Sequence, residues 1–540
     1  MNKNLELASD VLNALMAQGV REFCICPGAR NAPLITLLSS AQKSGIKLYS
    51  FYEERSAAFF ALGRIRRTSA PVAVITTSGT AVGELLPAVM EAYYTQAPLI
   101  LITADRPRRY RGSGAPQAAE QVGIFGIYSG FEFDLEGDER ADLVSISWDC
   151  PIHLNLCFDE PLLDSPSVEF AQSSSTRVDQ RSSQIDFHFD SSSMNLVREF
   201  LKSVHHPLVI VGMLRPEERE SVVELLQALE VPTYLEATSG LREDHRVLPF
   251  QITLSERLQN RMRSGQYPWD GVIRLGGIPT LRLWRDLDVD LKEMRVLSLS
   301  EAPFTGLGRA SSLALGHLDV LCQQMIQEVK KLSWRVERGK VSSFLAQDQS
   351  GQLQLKKLID SEPNSEPAWF HALSCAIPHK STVYVGNSLP IRQWDLAATY
   401  ESKQLDVWAS RGLNGIDGQV STFLGYAQAQ NESWAILGDL TALYDLPGPW
   451  ILSQLPAVRM NLVVVNNGGG KIFSRMFQDP IFQNQHTLGF KAWADLWAVA
   501  YECWERVEQI QVNSPYSRII ELRPDALSTQ RFWSQYQSIG

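Results

Sequence analysis

Short apolar runs return along the whole chain, separated by longer stretches of helical spacing, and this alternation constrains the fold more than any other feature. The runs fall at 23–26, 72–76, 99–103 and 152–158, at 208–213, 232–235, 272–275 and 296–299, and at 383–385, 407–409, 435–437, 462–465 and 519–522. Near-continuous β-branched strands must be covered on both faces, and the helices between them supply that cover. The pattern therefore predicts α/β domains built on parallel sheets. Two polar stretches interrupt it. Residues 162–195 carry Ser173-Ser174-Ser175-Thr176, Ser182-Ser183 and Ser191-Ser192-Ser193, and residues 341–366 are similarly polar. Read as linkers too poor in apolar side chains to build a core, they divide the chain into 1–165, 190–335 and 365–540. The expectation is three doubly wound parallel-sheet domains, which suits 540 residues at roughly 150 per domain.

Composition enters where it excludes. A formal net charge of −10 disfavours a nucleic-acid or anionic-membrane binder, while a local arginine cluster on such a protein still suits small anions. No run of about 18 apolar residues occurs and the amino terminus has no signal-peptide core. A cytoplasmic protein without a membrane span is therefore expected. The 7 cysteines are scattered without a C-x-x-C pair, which argues against a disulfide framework or structural zinc. Cys24 and Cys26, two apart in an expected strand, read as core thiols.

Open parallel sheets bind ligands beyond the carboxyl ends of their strands. Here those junctions are polar and glycine-rich: Pro27-Gly28-Ala29-Arg30, Thr77-Ser78-Gly79-Thr80, Ala104-Asp105-Arg106-Pro107, Gly386-Asn387-Ser388, Ser410-Arg411-Gly412, Gly438-Asp439 and Asn466-Asn467-Gly468-Gly469-Gly470. They predict one large site drawing on the first and third segments. The sharpest signal is the pair Gly438-Asp439 and Asn466-Asn467-Gly468-Gly469, each half following an apolar run. The 27 residues between Asp439 and Asn467 suffice for a crossover helix and a return strand, so both loops should emerge side by side. An Asp439 carboxylate, an Asn467 amide oxygen and a Gly469 carbonyl can together ligate Mg²⁺, which takes few protein oxygens and completes its octahedron with phosphate. Asp, Asn and Gly also serve as helix caps and tight turns. The pairing at this spacing is what favours the metal.

This pair resembles the signature of the thiamine-diphosphate (ThDP)-dependent decarboxylase-like superfamily: Gly-Asp, a spacer of about this length, then Asn-Asn. Leu440 stands where many members have Gly. The resemblance implies the ThDP-binding fold, ThDP held through Mg²⁺ (or Mn²⁺), and a carboxylic acid sharing a proton with N1′ of the aminopyrimidine. Such an acid must be dry enough to keep its proton near neutrality. In Phe51-Tyr52-Glu53-Glu54-Arg55-Ser56-Ala57-Ala58-Phe59, Glu54 aligns with the superfamily's glutamate and Glu53 is its neighbour and competitor. Both also suit a helix's first turn through its dipole alone. The resemblance further implies a cofactor gripped by domains of different subunits, hence a homodimer or homotetramer.

Longer motifs narrow the family. Cys26-Pro27-Gly28-Ala29-Arg30-Asn31-Ala32-Pro33-Leu34, Leu101-Ile102-Thr103-Ala104-Asp105-Arg106-Pro107, Gly114-Ala115-Pro116-Gln117, Val385 to Arg392, Ser410 to Gly418 and Gly438 to Asp445 are together similar to the 2-succinyl-5-enolpyruvyl-6-hydroxy-3-cyclohexene-1-carboxylate synthases of menaquinone biosynthesis. The likeness covers 1–125 and 383–477 and is weak between them. It implies decarboxylation of 2-oxoglutarate and 1,4-addition of the remaining four carbons to isochorismate. By the same resemblance, Ser388 and Arg392, helped by Arg30, would hold 2-oxoglutarate; Arg106, Gln117 and Arg411 would serve isochorismate and the reacting centre. Asn387, Ser388, Thr441 and Ala442 would contact the cofactor, Ile416 would wedge it, and Ile472 and Phe473 would pack against it. The chain departs from the family at Ala29, at Pro116, where an asparagine is usual, and at Arg282, where a substrate lysine falls. Another ThDP-dependent 2-oxo acid decarboxylase or an acetolactate-type synthase is the runner-up, although sites for monocarboxylates need fewer arginines. A non-catalytic binding protein of the same fold is the third reading.

Overall fold

The computed structural model describes residues 2–42, 45–163, 191–336, 338–427, 432–477 and 479–537. The chain packs into two compact units. One comprises Met1–Ser183, Gly412–Gln430 and Leu440–Val458; the other comprises Gln184–Arg411, Asn431–Asp439 and Arg459–Gly540.

The first unit is built on one parallel sheet of β1 (Glu22–Ile25), β2 (Lys47–Ser50), β3 (Val72–Thr76), β4 (Leu99–Asp105), β5 (Phe131–Glu136) and β6 (Ile152–Cys157), in the order β2-β1-β3-β4-β6-β5. Its central strands β3, β4 and β6 are buried throughout, as their unbroken apolar composition requires. Cys24 and Cys26 are buried, as expected. The chain winds to one side as far as β2, then returns past β1 to continue on the other. That reversal opens a switch point between β1 and β3. The loops that leave these two strands touch: a Cβ on Gly28 would lie 2.5 Å from Thr77 Cβ. The helix Glu54–Thr68 crosses the helix Gln419–Tyr426 at two glycines. A Cβ on Gly63 would lie 2.1 Å from Thr422 O, and one on Gly425 would lie 2.1 Å from Phe60 O.

The second unit holds two further parallel sheets. One contains β7 (Pro207–Val211), β8 (Thr233–Leu235), β9 (Gln251–Ile252), β10 (Gly271–Leu275), β11 (Arg295–Ser300) and β12 (Ser312–Leu315), ordered β12-β11-β10-β7-β8-β9. The other contains β13 (Thr382–Val385), β14 (Asp406–Trp408), β15 (Ser433–Gly438), β16 (Met460–Val465), β17 (Ala500–Trp504) and β18 (Arg518–Leu522), ordered β14-β13-β15-β16-β18-β17. Each repeats the reversal of the first sheet, with switch points between β7 and β10 and between β13 and β15. β15 and β16 pair in parallel up to Gly438 opposite Val465, so Asp439 and Asn466 leave neighbouring strand ends.

The polar stretch 341–366 is not the expected linker. Most of it lies in a 24-residue helix, Arg338–Ser361, whose Val341, Phe344, Leu355, Leu358 and Ile359 are buried. With the buried Asp348 and Gly351 between them, the buried positions 341, 344, 348, 351, 355 and 358 recur at intervals of three and four along one face, so few apolar side chains suffice to dock it. Its buried Asp348 accepts from Thr253 N at 2.9 Å and Leu254 N at 3.1 Å. Of the other expected linker, residues 164–190 lie outside the described residues, and Ser191-Ser192-Ser193 open the helix Ser191–Ser203. No described helix is long and apolar enough to cross a membrane.

Candidate functional site

In the first unit the two competing glutamates take different roles. Glu53 caps the helix Glu54–Thr68, accepting from Ser56 N at 2.7 Å, and sits 3.6 Å from the Arg55 guanidinium. Glu54 starts that helix half-buried. Burial above all, then the charges of Glu53 and Glu84, raise its carboxyl above the ordinary glutamate range, while a backbone N–H opposes the rise. Gly418, two residues beyond Ile416, meets the same helix so closely that a Cβ there would lie 2.0 Å from the Phe59 ring. Thr441 and Ala442 are buried. A few residues on, the fully buried Asp445 accepts from Ser421 N at 2.7 Å, Ser421 Oγ at 3.0 Å and Ser56 Oγ at 3.4 Å. Arg55 donates to Tyr444 O at 3.1 Å. Segments 54–59, 416–421 and 441–445 thus come together in one unit. Glu91 fixes the chain just upstream of Ile416, taking Gly412 N at 2.8 Å and Leu413 N at 2.7 Å on its two oxygens.

Arg106 reaches the residue just before Gln117. Arg106 Nε donates to Pro116 O at 2.9 Å, a contact that uses the carbonyl, which proline retains. Gln117 follows with φ +55°, its backbone against Gly79. Arg30 is engaged elsewhere, donating to Phe158 O at 2.9 Å and lying 3.2 Å from Glu160.

In the second unit the two glycine-rich loops close on each other. Asp439 Oδ2 accepts from Gly468 N and Gly469 N, both at 2.9 Å, with His486 Nε2 at 3.3 Å. Gly469 has φ +132°, and a Cβ there would lie 2.5 Å from Gln483 O. Only glycine fits that position. Its carbonyl accepts from Lys471 N at 2.8 Å. Asn467 Nδ2 donates to Glu366 Oε2 at 3.0 Å. Burial pushes Glu366 up to about 7, with the Asn467 hydrogen bond opposing, Asp439's charge adding and Lys471 opposing. Ile472 and Phe473 form the turn that follows, and Phe473 is exposed.

The loops after β13 and β14 meet in the same unit. Asn387 is buried; its Nδ2 donates to Ser410 O at 2.9 Å, and its Oδ1 accepts from Arg411 Nη1 at 2.7 Å. Ser388, at φ +69°, immediately precedes the helix Leu389–Ala397 without a side-chain capping bond, and its carbonyl accepts from Arg392 Nη1. Glu236 is buried and Asp395 is mostly enclosed, its side chain 12% exposed, and both lie close enough for both guanidiniums to act on them. Burial pushes Glu236 up to about 7, Asp395 adding and Arg411 opposing, and it raises Asp395 against Arg242, Arg411 and Arg392. Glu236 accepts from Thr280 N at 2.6 Å and Thr280 Oγ1 at 2.9 Å. Arg282 does not join this cluster through any described hydrogen bond. Half-exposed, it sits 3.7 Å from Asp286 one turn along its own helix.

Comparison with known proteins bears directly on this arrangement. The family model described as thiamine pyrophosphate enzyme, N-terminal TPP binding domain matches residues 5–124. A Bdellovibrio bacteriovorus protein named 2-succinyl-5-enolpyruvyl-6-hydroxy-3-cyclohexene-1-carboxylate synthase is 42% identical over 536 residues, covering 99% of this chain and 98% of its own. The chain belongs to this synthase family. Synthases of the same name from Akkermansia muciniphila, 36% identical with 98% of each chain covered, and Geobacillus kaustophilus, 32% identical with 86% and 83% covered, agree. As a member of the synthase family it is a ThDP-dependent enzyme of menaquinone biosynthesis.

The second unit's residues fit a divalent cation. Asn467 Oδ1 is buried and accepts no hydrogen bond, because the amide has turned its nitrogen to Glu366. One carboxylate, one amide oxygen and a backbone carbonyl form a hard oxygen set of the kind Mg²⁺ takes. Sequence reasoning missed Glu366, Glu91, Glu236, Asp395 and the role of Asp445. Only Asp445 lay inside a quoted motif. Glu366 lay at the edge of the supposed linker, where Ser365-Glu366-Pro367 is in fact a helix start.

Proposed function

We propose that the chain decarboxylates 2-oxoglutarate and adds the remaining four-carbon unit to isochorismate in a 1,4 sense. In this reading 1–165 binds the cofactor's pyrimidine, 365–540 its diphosphate and metal, and 190–335 is the domain central in the sequence. Bound ThDP supplies the carbanion chemistry at its thiazolium C2. Glu54 holds a proton at N1′ of the aminopyrimidine, a task its raised carboxyl suits. Asp439, Asn467 and the Gly469 carbonyl hold Mg²⁺ or Mn²⁺, while Thr441, Ala442, Asn387 and Ser388 meet the cofactor. Ile416 wedges it, and Ile472 and Phe473 cover it. Arg392, Ser388 and Arg30 take the carboxylates of 2-oxoglutarate; Arg106, Gln117 and Arg411 take isochorismate. Arg282 is the remaining candidate for a substrate carboxylate.

The observation that carries this reading is the gathering of Arg392, in the first turn of the helix that follows the β13 loop, and Arg411, in the loop after β14, about the adjoining residues Asn387 and Ser388. Two guanidinium forks beside one pair of strand ends suit dicarboxylates better than pyruvate-like monocarboxylates. We further propose a cytoplasmic homodimer or homotetramer with the cofactor at the subunit interface. The exposed Phe473, Met476, Phe477, Ile481 and Phe482 support it, since a patch of that kind on a soluble protein marks an interface. The test supplies 2-oxoglutarate with and without isochorismate and follows CO₂ and product mass. An adduct joining both substrates supports the assignment. CO₂ from pyruvate but not from 2-oxoglutarate would assign the chain to another ThDP chemistry.

A further inference from the structure

Glu366 is 3% exposed, at the first position of the helix Glu366–Ala376. Its backbone N–H donates to Thr529 Oγ1 at 3.0 Å, which fixes the start of the helix. Its side chain turns away from that contact, and Oε2 receives Asn467 Nδ2 at 3.0 Å. An asparagine side chain presents donors at one end and acceptors at the other, and rotating it by half a turn exchanges them. Facing a cation, one orientation offers a lone pair and the other offers N–H groups. Something must select between them. A carboxylate can do so, because both its oxygens accept. Asn467 Oδ1 is correspondingly left buried without a donor.

We propose that Glu366 is a positioning residue for the metal centre: its carboxylate locks the Asn467 amide so that Oδ1 faces the cation. The inference rests on the reading of Asp439, Asn467 and Gly469 as a metal site. Partners of this kind behind a metal ligand typically contribute about 10- to 100-fold in metal affinity. Glu366→Gln keeps the shape but makes the partner ambivalent, since a glutamine amide satisfies Asn467 in either orientation.

The test measures Mn²⁺ affinity in the presence of ThDP from the electron paramagnetic resonance signal of free Mn²⁺, with melting of the metal-free protein alongside. E366Q is expected to bind Mn²⁺ about 10-fold more weakly at an unchanged melting temperature. The exchange E366Q with Asn467→Asp restores one carboxylate facing one amide with an oxygen towards the cation, and is expected to regain affinity over E366Q alone. Thr529→Val, which loosens the same helix start without touching Asn467, should bind Mn²⁺ as the wild type does. Wild-type affinity in E366Q, an exchange variant no better than E366Q, or an equal loss in Thr529→Val would each overturn the proposal. A wild-type protein that binds no Mn²⁺ with ThDP present would instead bring down the metal site itself.

Discussion

Asp445 is a carboxyl group held without solvent among Ser421 and Ser56. Burial pushes it up to about 7 from an ordinary 3.8, the Ser421 bonds and Arg55 opposing and Glu53 adding. The folded protein therefore binds this proton more tightly than the unfolded chain does. Its contribution to stability is complete in acid and is lost as pH rises from about 4 to about 7. Asp445→Asn removes that titration. Urea midpoints of the variant relative to the wild type should rise between about pH 4 and about pH 7, and a constant difference would refute the burial argument. Glu54→Gln should cut turnover by about 10²- to 10⁴-fold, the usual contribution of a proton-transfer group, while Mn²⁺ and ThDP bind as before by calorimetry. Unreduced turnover would remove Glu54 from the mechanism. At this scale the sequence is readable where both partners lie within one motif. Asp439 and Asn467 stand at the ends of two adjoining strands, so their spacing announces them. Glu366 is 101 residues from Asn467, and its own surroundings look like any helix start. Local pattern alone does not separate Glu53 from Glu54, and only the family resemblance favours Glu54; the N-cap bond of Glu53 gives a structural difference between them.

Among the elements, the crossing of Glu54–Thr68 on Gln419–Tyr426 is set by two glycines whose hydrogens face the opposing backbone. Gly63→Ala should cost about 1–3 kcal/mol in chemical denaturation, because neither backbone can withdraw without moving its helix. A variant as stable as the wild type would mean that the crossing can relax. Leu358→Ala should cost about 2–5 kcal/mol if the helix Arg338–Ser361 is docked as its buried face indicates. That helix shows how a composition-based reading fails. Serine, glutamine and lysine dominate it, yet the phase of its few apolar residues is helical. The strands fared better where both faces are covered. Edge strands β5, β12 and β17 are only partly buried, so their polar side chains hide them from a search for apolar runs.

Across the whole molecule, three sheets repeat one winding, each with its reversal beside the first strand of its segment. That repetition follows from the alternation of apolar runs and helical stretches, and the fold class was legible for the same reason. The composition of the compact units was not. The first unit takes Gly412–Gln430 and Leu440–Val458 from a region that sequence order assigns to the last sheet. Long-range hydrogen bonds such as Ser56 to Asp445 and Arg64 to Gly425 make that assignment, and no local pattern encodes them.

One consequence concerns biosynthesis. The amino-terminal sheet leaves the ribosome early, but the pieces that complete its unit emerge only once residue 458 has been translated. Until residues 419–445 have followed, the groove around Gly63 stands open and Ser56 lacks its acid partner. The nascent chain must carry an unfinished body through most of its own synthesis. A fragment ending at residue 165 should therefore expose apolar surface to dye binding and be digested readily by protease. Adding back a peptide spanning 412–458 should protect it.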